Sequence, residues 1–193
     1  QAIKKTVSMV TTLSNNRPKY WVIVPTFNPG NDAWADWIGK LKNQICQPNQ
    51  VVVVDSGSKD GSLSLSQRAG FTLLHVQAQD FNHGGTRQWA LDQALSQSRG
   101  QLEEPEFVVF LTQDALLATQ DALQDLLLAF QDQQVAATYG RQIANPQSSW
   151  LEVHARAFNY PESSRTVQLK DKESLGIKAC FFSNSFAAYR LQA

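Results

Sequence analysis

Sulfur is scarce in this sequence: two cysteines and one methionine in 193 residues. Cys46 and Cys180 lie far apart and form no CxxC motif, which excludes that type of redox or zinc site. Both are expected to be buried free thiols in a reducing compartment. Net charge is lacking too, because seventeen basic residues balance seventeen acidic ones. Nucleic acid and anionic membranes are therefore not indicated as general partners. No run of about 18 apolar residues exists, which excludes a transmembrane helix. The opening Gln1-Ala2-Ile3-Lys4-Lys5 has no apolar signal core, and no Asn-x-Ser/Thr sequon occurs. The expected location is cytoplasmic, with peripheral contact at the inner face of the cell membrane left open.

Several nucleotide and hydrolase motifs are missing as well. The first turn after a strand, Thr26-Phe27-Asn28-Pro29-Gly30, has no GxGxxG, so the pyrophosphate cradle of a dinucleotide oxidoreductase is absent. No GxxxxGK[ST] occurs, which removes P-loop kinases and ATPases. No GxSxG elbow occurs, which argues against an α/β-hydrolase. The stretch Asp55 to Gly61 has the look of a calcium loop but fails as one. Its glycine comes one residue late, and Ser66 stands where a bidentate glutamate is required.

What is present is a regular alternation of strand and helix patterns. The chain is 42% hydrophobic and 18% charged, enough for one large core. Strands are expected at Tyr20–Val24, Val51–Val54, Phe71–Val76, Phe107–Leu111 and Val135–Tyr139. Trp34, Trp37, Ile38, Leu41 and Ile45 form one apolar helix face, with Asn31 or Asp32 as N-cap. A short helix spans about Leu63 to Ala69, and another runs from Gly84-Gly85 to about Arg99, ended by Gly100. Leu123, Leu126, Leu127 and Phe130 mark a further helix. Ser148 to Ser174 reads as loops and short elements, and Ile177–Phe182 as one more strand. Trp34, Trp37 and Trp89 fall at helical spacing and are expected in the core. This order predicts an α/β fold with a mostly parallel sheet.

Two apolar runs each deliver an aspartate. Val51-Val52-Val53-Val54 leads to Asp55, and Phe107 to Leu111 leads through Thr112-Gln113 to Asp114. Buried runs this short are typical of parallel strands covered on both faces. The C-terminal ends of such strands are where open α/β sheets bind ligands.

Five stretches together resemble the inverting family 2 glycosyltransferases of the GT-A fold. Three are Pro25-Thr26-Phe27-Asn28, Asp55 to Ser62, and Thr112-Gln113-Asp114-Ala115. The others, Phe81-Asn82-His83-Gly84-Gly85-Thr86-Arg87 and Gly176-Ile177-Lys178 with Phe182 to Arg190, are similar to the bacterial rhamnosyltransferase branch. The resemblance runs from about Tyr20 to Ala193. It implies a GT-A (Rossmann-like) nucleotide-sugar-binding fold over 20–193, after an irregular segment 1–19. It also implies transfer of rhamnose from dTDP-rhamnose, or of another sugar from a UDP-sugar. The acceptor would be a saccharide or lipid-linked molecule in surface polysaccharide synthesis.

The same resemblance implies roles for single residues. Asp55 would accept the N3–H of uracil or thymine, a task that suits an acceptor-only carboxylate; an Asx-turn is the competing use of the same residue. Ser56 and Gly57 follow it in the nucleotide site, and Asp60 is expected to cap the next helix. Pro25, Thr26 and Asn28 would pass along base and ribose. His83 and Arg87 would lie beside the sugar or diphosphate, next to a helix N-terminus kept open by Gly84-Gly85. Asp114 matches the last aspartate of the family's DxD motif and would hold Mg²⁺ or Mn²⁺, with Gln113 beside it. The chain departs from DxD at Thr112 and Gln113. Thr119 is the better candidate for capping the helix that follows. The family's general base is an aspartate in a Glu-Asp pair. No such pair occurs here, so the base is expected beyond Ala193 and the domain is expected to be truncated before it. A nucleotidyltransferase making NDP-sugars and a non-catalytic nucleotide-sugar-binding module are the alternatives.

Overall fold

A computed structural model of the chain describes residues 17–99, 104–144 and 148–192. Most of the expected N-terminal segment, Gly100 as a helix end, and Ala193 lie outside the described residues. The strands are β1 (Tyr20–Thr26), β2 (Gln50–Asp55), β3 (Thr72–His75), β4 (Phe107–Leu111), β5 (Ala137–Tyr139) and β6 (Phe186–Arg190). The helices are α1 (Asn31–Lys42), α2 (Ser62–Arg68), α3 (Gly85–Ser98), α4 (Ala122–Leu128), α5 (Trp150–Asn159) and α6 (Lys172–Leu175).

The six strands form one sheet in the order β3-β2-β1-β4-β6-β5. β3, β2, β1 and β4 run parallel, and β6 is antiparallel to both β4 and β5. The expected mostly parallel α/β sheet is borne out. The chain winds outward from β1 to β3, then crosses back to place β4 on the other side of β1. That reversal opens a crevice at the carboxyl ends of β1, β2 and β4.

Strand side chains alternate between two faces. Val22, Val24, Val51, Val53, Val109 and Leu111 face α1 and α4, where Trp34, Trp37, Leu41 and Leu123 are buried. Trp21, Ile23, Val52, Val54, Val108 and Phe110 face α3 through Ala90, Leu91 and Ala94. The Trp34 and Trp37 rings stack with centroids 4.6 Å apart. Their indole N–H groups donate to Ser66 Oγ (2.9 Å) and to the Thr112 carbonyl (3.2 Å). The second bond ties α1 to the loop that carries Asp114.

Several expectations fail for identifiable reasons. Ile177–Phe182 is not a strand: Gly176–Cys180 forms a 3₁₀ turn, and Ile177 is 89% exposed. The true strand, β6, is seeded by Ala187 and Ala188, which are buried but too small to raise an apolar signal. Cys46 is buried whereas Cys180, on that turn, is exposed. Helix α1 has Gly30 at its N-cap and no side-chain cap, in place of Asn31 or Asp32. Thr119 does not cap α4, whose N-cap is Asp121; its carbonyl accepts a bond from Gln44. Trp89 stands partly exposed on α3. Inside the stretch 148–174, α5 starts from a capping box of Ser149 and Glu152, a Ser-x-x-Glu signal legible in the sequence.

Candidate functional site

The site is assembled where the parallel strands end. β1 breaks at Thr26 and passes into Phe27-Asn28-Pro29-Gly30. Pro25 sits in register with Val54, beyond the last residue of β1 paired to β4, so its missing N–H costs no ladder bond to β4. The next loop, after Asp55, is held against the first. Asn28 N–H donates to Ser58 Oγ (2.9 Å), Lys59 N–H to Asn28 Oδ1 (2.8 Å), and Gly30 N–H to Asp60 Oδ2 (2.6 Å). Asn28 has φ 43°, a left-handed conformation that a non-glycine residue adopts at a cost of about 1 kcal/mol. Bonds on both its backbone and side chain hold it there. Asp60 Oδ1 also accepts the Ser62 N–H (3.1 Å), but the N-cap of α2 is Gly61 and no side chain caps it, so the expected cap is instead a tie between the first loop and the first residue of the helix.

Asp55 is 1% exposed. Its Oδ2 accepts N–H bonds from Gly57 (2.8 Å) and Ser58 (2.9 Å). These are charge-assisted bonds, stronger than neutral ones. The turn use and a recognition use are compatible, because they fall on different oxygens. Oδ1 receives only a long contact from Thr26 Oγ1 at 3.5 Å. Thr26 is itself buried and supports Asp55 from beneath. Ser56 joins the same corner through N–H and hydroxyl bonds to the Thr26 carbonyl.

In front of this corner is an open cavity of about 550 Å³. Phe27, Asn28, Ser56, Gly57, Lys59 and His75 are on its wall. His75 ends β3 in register with Asp55, and its Nδ1 lies 3.9 Å from Asp55 Oδ2. In the sequence His75 is marked only by its place in the strand expected at Phe71–Val76. The strand order, which brings β3 beside β2, is what carries it to the site.

Arg87, in the first turn of α3, is 9% exposed. One Nη donates to the His83 carbonyl, and Nε has no partner among the described residues. Burial lowers its pKa, and the nearby Tyr189 phenol acts the other way. A guanidinium this buried, at the positive end of a helix, is in an unfavourable place without an anion. The turn before it is fixed by reciprocal bonds: Gly85 N–H donates to Asn82 Oδ1 (2.6 Å) and Asn82 N–H to Thr86 Oγ1 (3.1 Å). His83 is exposed and packs edge-on to Phe81.

Asp114 follows β4 on an exposed turn. The turn is tied to the start of β6 by the Thr112 N–H donating to the Ser185 carbonyl (3.1 Å). No group of three or more metal-ligating side chains occurs among the described residues. An exposed carboxylate alone fits a divalent ion only where phosphate oxygens and water complete the shell, a common arrangement for Mg²⁺. Gln113 is bonded to the first loop through the backbone of Phe27. Asp55, 1% exposed, does not itself line the cavity in front of its corner, and nor do His83, Arg87 and Asp114. The residues singled out in the sequence therefore form two groups along the same sheet edge.

Comparison with known proteins bears on the family and the fold. The family model for glycosyl transferase family 2 matches residues 21–193. The O-antigen chain rhamnosyltransferase WbaN of Salmonella anatum is 40% identical over 173 residues, covering 90% of this chain and 52% of its own. RfbN of Salmonella typhimurium, of the same description, is 41% identical over 173 residues, covering 89% and 52%. The chain thus spans about half the length of these relatives. Among solved structures, a mannosyltransferase from Pyrobaculum calidifontis in complex with GDP-Man and Mn²⁺ is similar at TM-score 0.56 and 22% identity, over 92% of this chain and 46% of that one. S. aureus TarS 1-349 is similar at TM-score 0.57 and 21% identity, over 89% and 47%. At such identities the likeness concerns the fold. On the match over residues 21–193, this chain belongs to glycosyl transferase family 2.

Proposed function

We propose that this chain binds the donor for an inverting glycosyltransferase that takes rhamnose from dTDP-rhamnose. The product would be a bacterial surface polysaccharide on a saccharide or lipid-linked acceptor. The observation that carries this reading is Arg87: buried, unpaired at Nε, and set in the first turn of α3. A diphosphate supplies the charge that this guanidinium lacks. Two relatives described as O-antigen chain rhamnosyltransferases support the choice of sugar.

In this reading Asp55 Oδ1 takes the base N3–H, while Oδ2 keeps the loop folded around it. Phe27, Asn28 and His75 enclose the nucleoside. Arg87 and the His83 turn hold the diphosphate. Asp114 would hold Mg²⁺ or Mn²⁺, which when bound offsets charge on the departing nucleoside diphosphate. No helix among the described residues is long and apolar enough to cross a membrane.

Calorimetry with dTDP-rhamnose, UDP-glucose and GDP-mannose, each with Mg²⁺, tests the donor assignment. Saturable binding that favours dTDP-rhamnose is expected. A folded sample that binds none of the three, or that prefers GDP-mannose, overturns it.

A further inference from the structure

Gln113 occupies the middle of the stretch that departs from DxD, and its side chain has a definite task. Its Oε1 accepts the Phe27 N–H at 2.7 Å, and its Nε2 donates to the Phe27 carbonyl at 3.2 Å. The two residues are 86 positions apart in the chain. A primary amide carries a donor and an acceptor side by side. It therefore meets both backbone polar groups of one residue. The pair bridges the loop after β1 to the loop after β4, on the side opposite the bonds from Ser58, Lys59 and Asp60.

Phe27 is 53% exposed and forms part of the cavity wall in front of Asp55. Its ring forms no aromatic pair among the described residues. The backbone N–H and carbonyl of Phe27 are both bonded to Gln113. We propose that Gln113 is a positioning residue: it clamps Phe27 so that the ring forms the wall of the nucleoside compartment, and does not itself bind the nucleotide. This inference rests on the donor-site reading above. It also accounts for an amide at this position. A carboxylate could accept the N–H but would face the Phe27 carbonyl with a second acceptor and no proton to donate.

The test compares wild type, Gln113→Ala and Gln113→Glu, each with Mg²⁺ present. Calorimetry measures affinity for dTDP and for inorganic pyrophosphate, and amide hydrogen exchange follows the Phe27 N–H without ligand. Loss of the clamp is expected to weaken dTDP about tenfold, the scale of one or two modest hydrogen bonds. Pyrophosphate affinity should stay within about twofold, because Arg87 and Asp114 are untouched. Phe27 exchange should speed up in the alanine variant before any ligand is added. The glutamate variant should fail to restore dTDP affinity. Wild-type affinity for dTDP in both variants overturns the clamp, as does an equal loss for dTDP and pyrophosphate. Unchanged Phe27 exchange also overturns it. If wild type itself binds no dTDP, the donor-site reading falls, and the clamp falls with it.

Discussion

Asp55 and Arg87 are both buried charges, yet they are satisfied in opposite ways. Asp55 has two backbone N–H donors on one oxygen; Arg87 has one carbonyl and an empty Nε. Removing each should therefore have a different signature. Asp55→Ala leaves the Gly57 and Ser58 N–H groups without their acceptor and should cost about 2 kcal/mol in urea unfolding, besides lowering dTDP affinity. Arg87→Met removes an uncompensated cation and should leave stability unchanged or raise it by about 1 kcal/mol. Its affinity for dTDP should still fall about tenfold or more. An Arg87→Met variant that unfolds more easily and binds normally would mark the arginine as structural. Both residue types were readable in the sequence, because strand-end aspartates and a first-turn arginine break simple patterns. The division of labour within Asp55 was not readable. It depends on which oxygen the Gly57 and Ser58 amides choose, a property of the folded loop.

At the scale of elements, the loops after β1 and β2 behave as one unit stapled by Asp60. Burial works to raise the Asp60 pKa, but hydrogen bonds from Ser62 and Gly30 outweigh it and hold the carboxyl below its usual range. A carboxyl lowered by folding adds stability above its unfolded pKa, and that contribution is lost as pH falls through the folded value. Exchange protection of the Gly30 and Ser62 amides should thus hold steady from about pH 7 to pH 5. It should fall only below the ordinary carboxylate range. Loss of protection near pH 6 would contradict the staple. Parallel strands β1, β2 and β4 and their helices were legible because valine runs and helical spacing of tryptophan give strong signals. β6 was not, since it is written in alanines and takes its order from pairing with β4 and β5. The misplaced strand at Ile177–Phe182 has the opposite cause: residues that look apolar sit on a turn with no sheet partner.

At the scale of the molecule, the sheet order gathers residues from five segments, the ends of β1 to β4 and the turn before α3, onto one edge. A ligand that bridges them should stabilise the whole fold. Saturating dTDP with Mg²⁺, at about 100 times the dissociation constant, should add about 2.7 kcal/mol to unfolding. Chelating the metal, or changing Asp114 to alanine, should remove most of that gain without altering the free protein's melting temperature. A gain indifferent to metal would detach Asp114 from its assigned role.

The central claim is that the nucleoside diphosphate sits along this strand-end edge. The amide spectrum of ¹⁵N-labelled protein titrated with dTDP and Mg²⁺ tests it most directly. Shifts are expected at Phe27, Asn28, Gly57, Ser58, His75, the turn from His83 to Arg87, and Asp114. A second groove, lined by Gln124, Leu127, Phe130 and Gln131, should stay silent. Shifts confined to that groove, or none at saturating dTDP, would contradict the account.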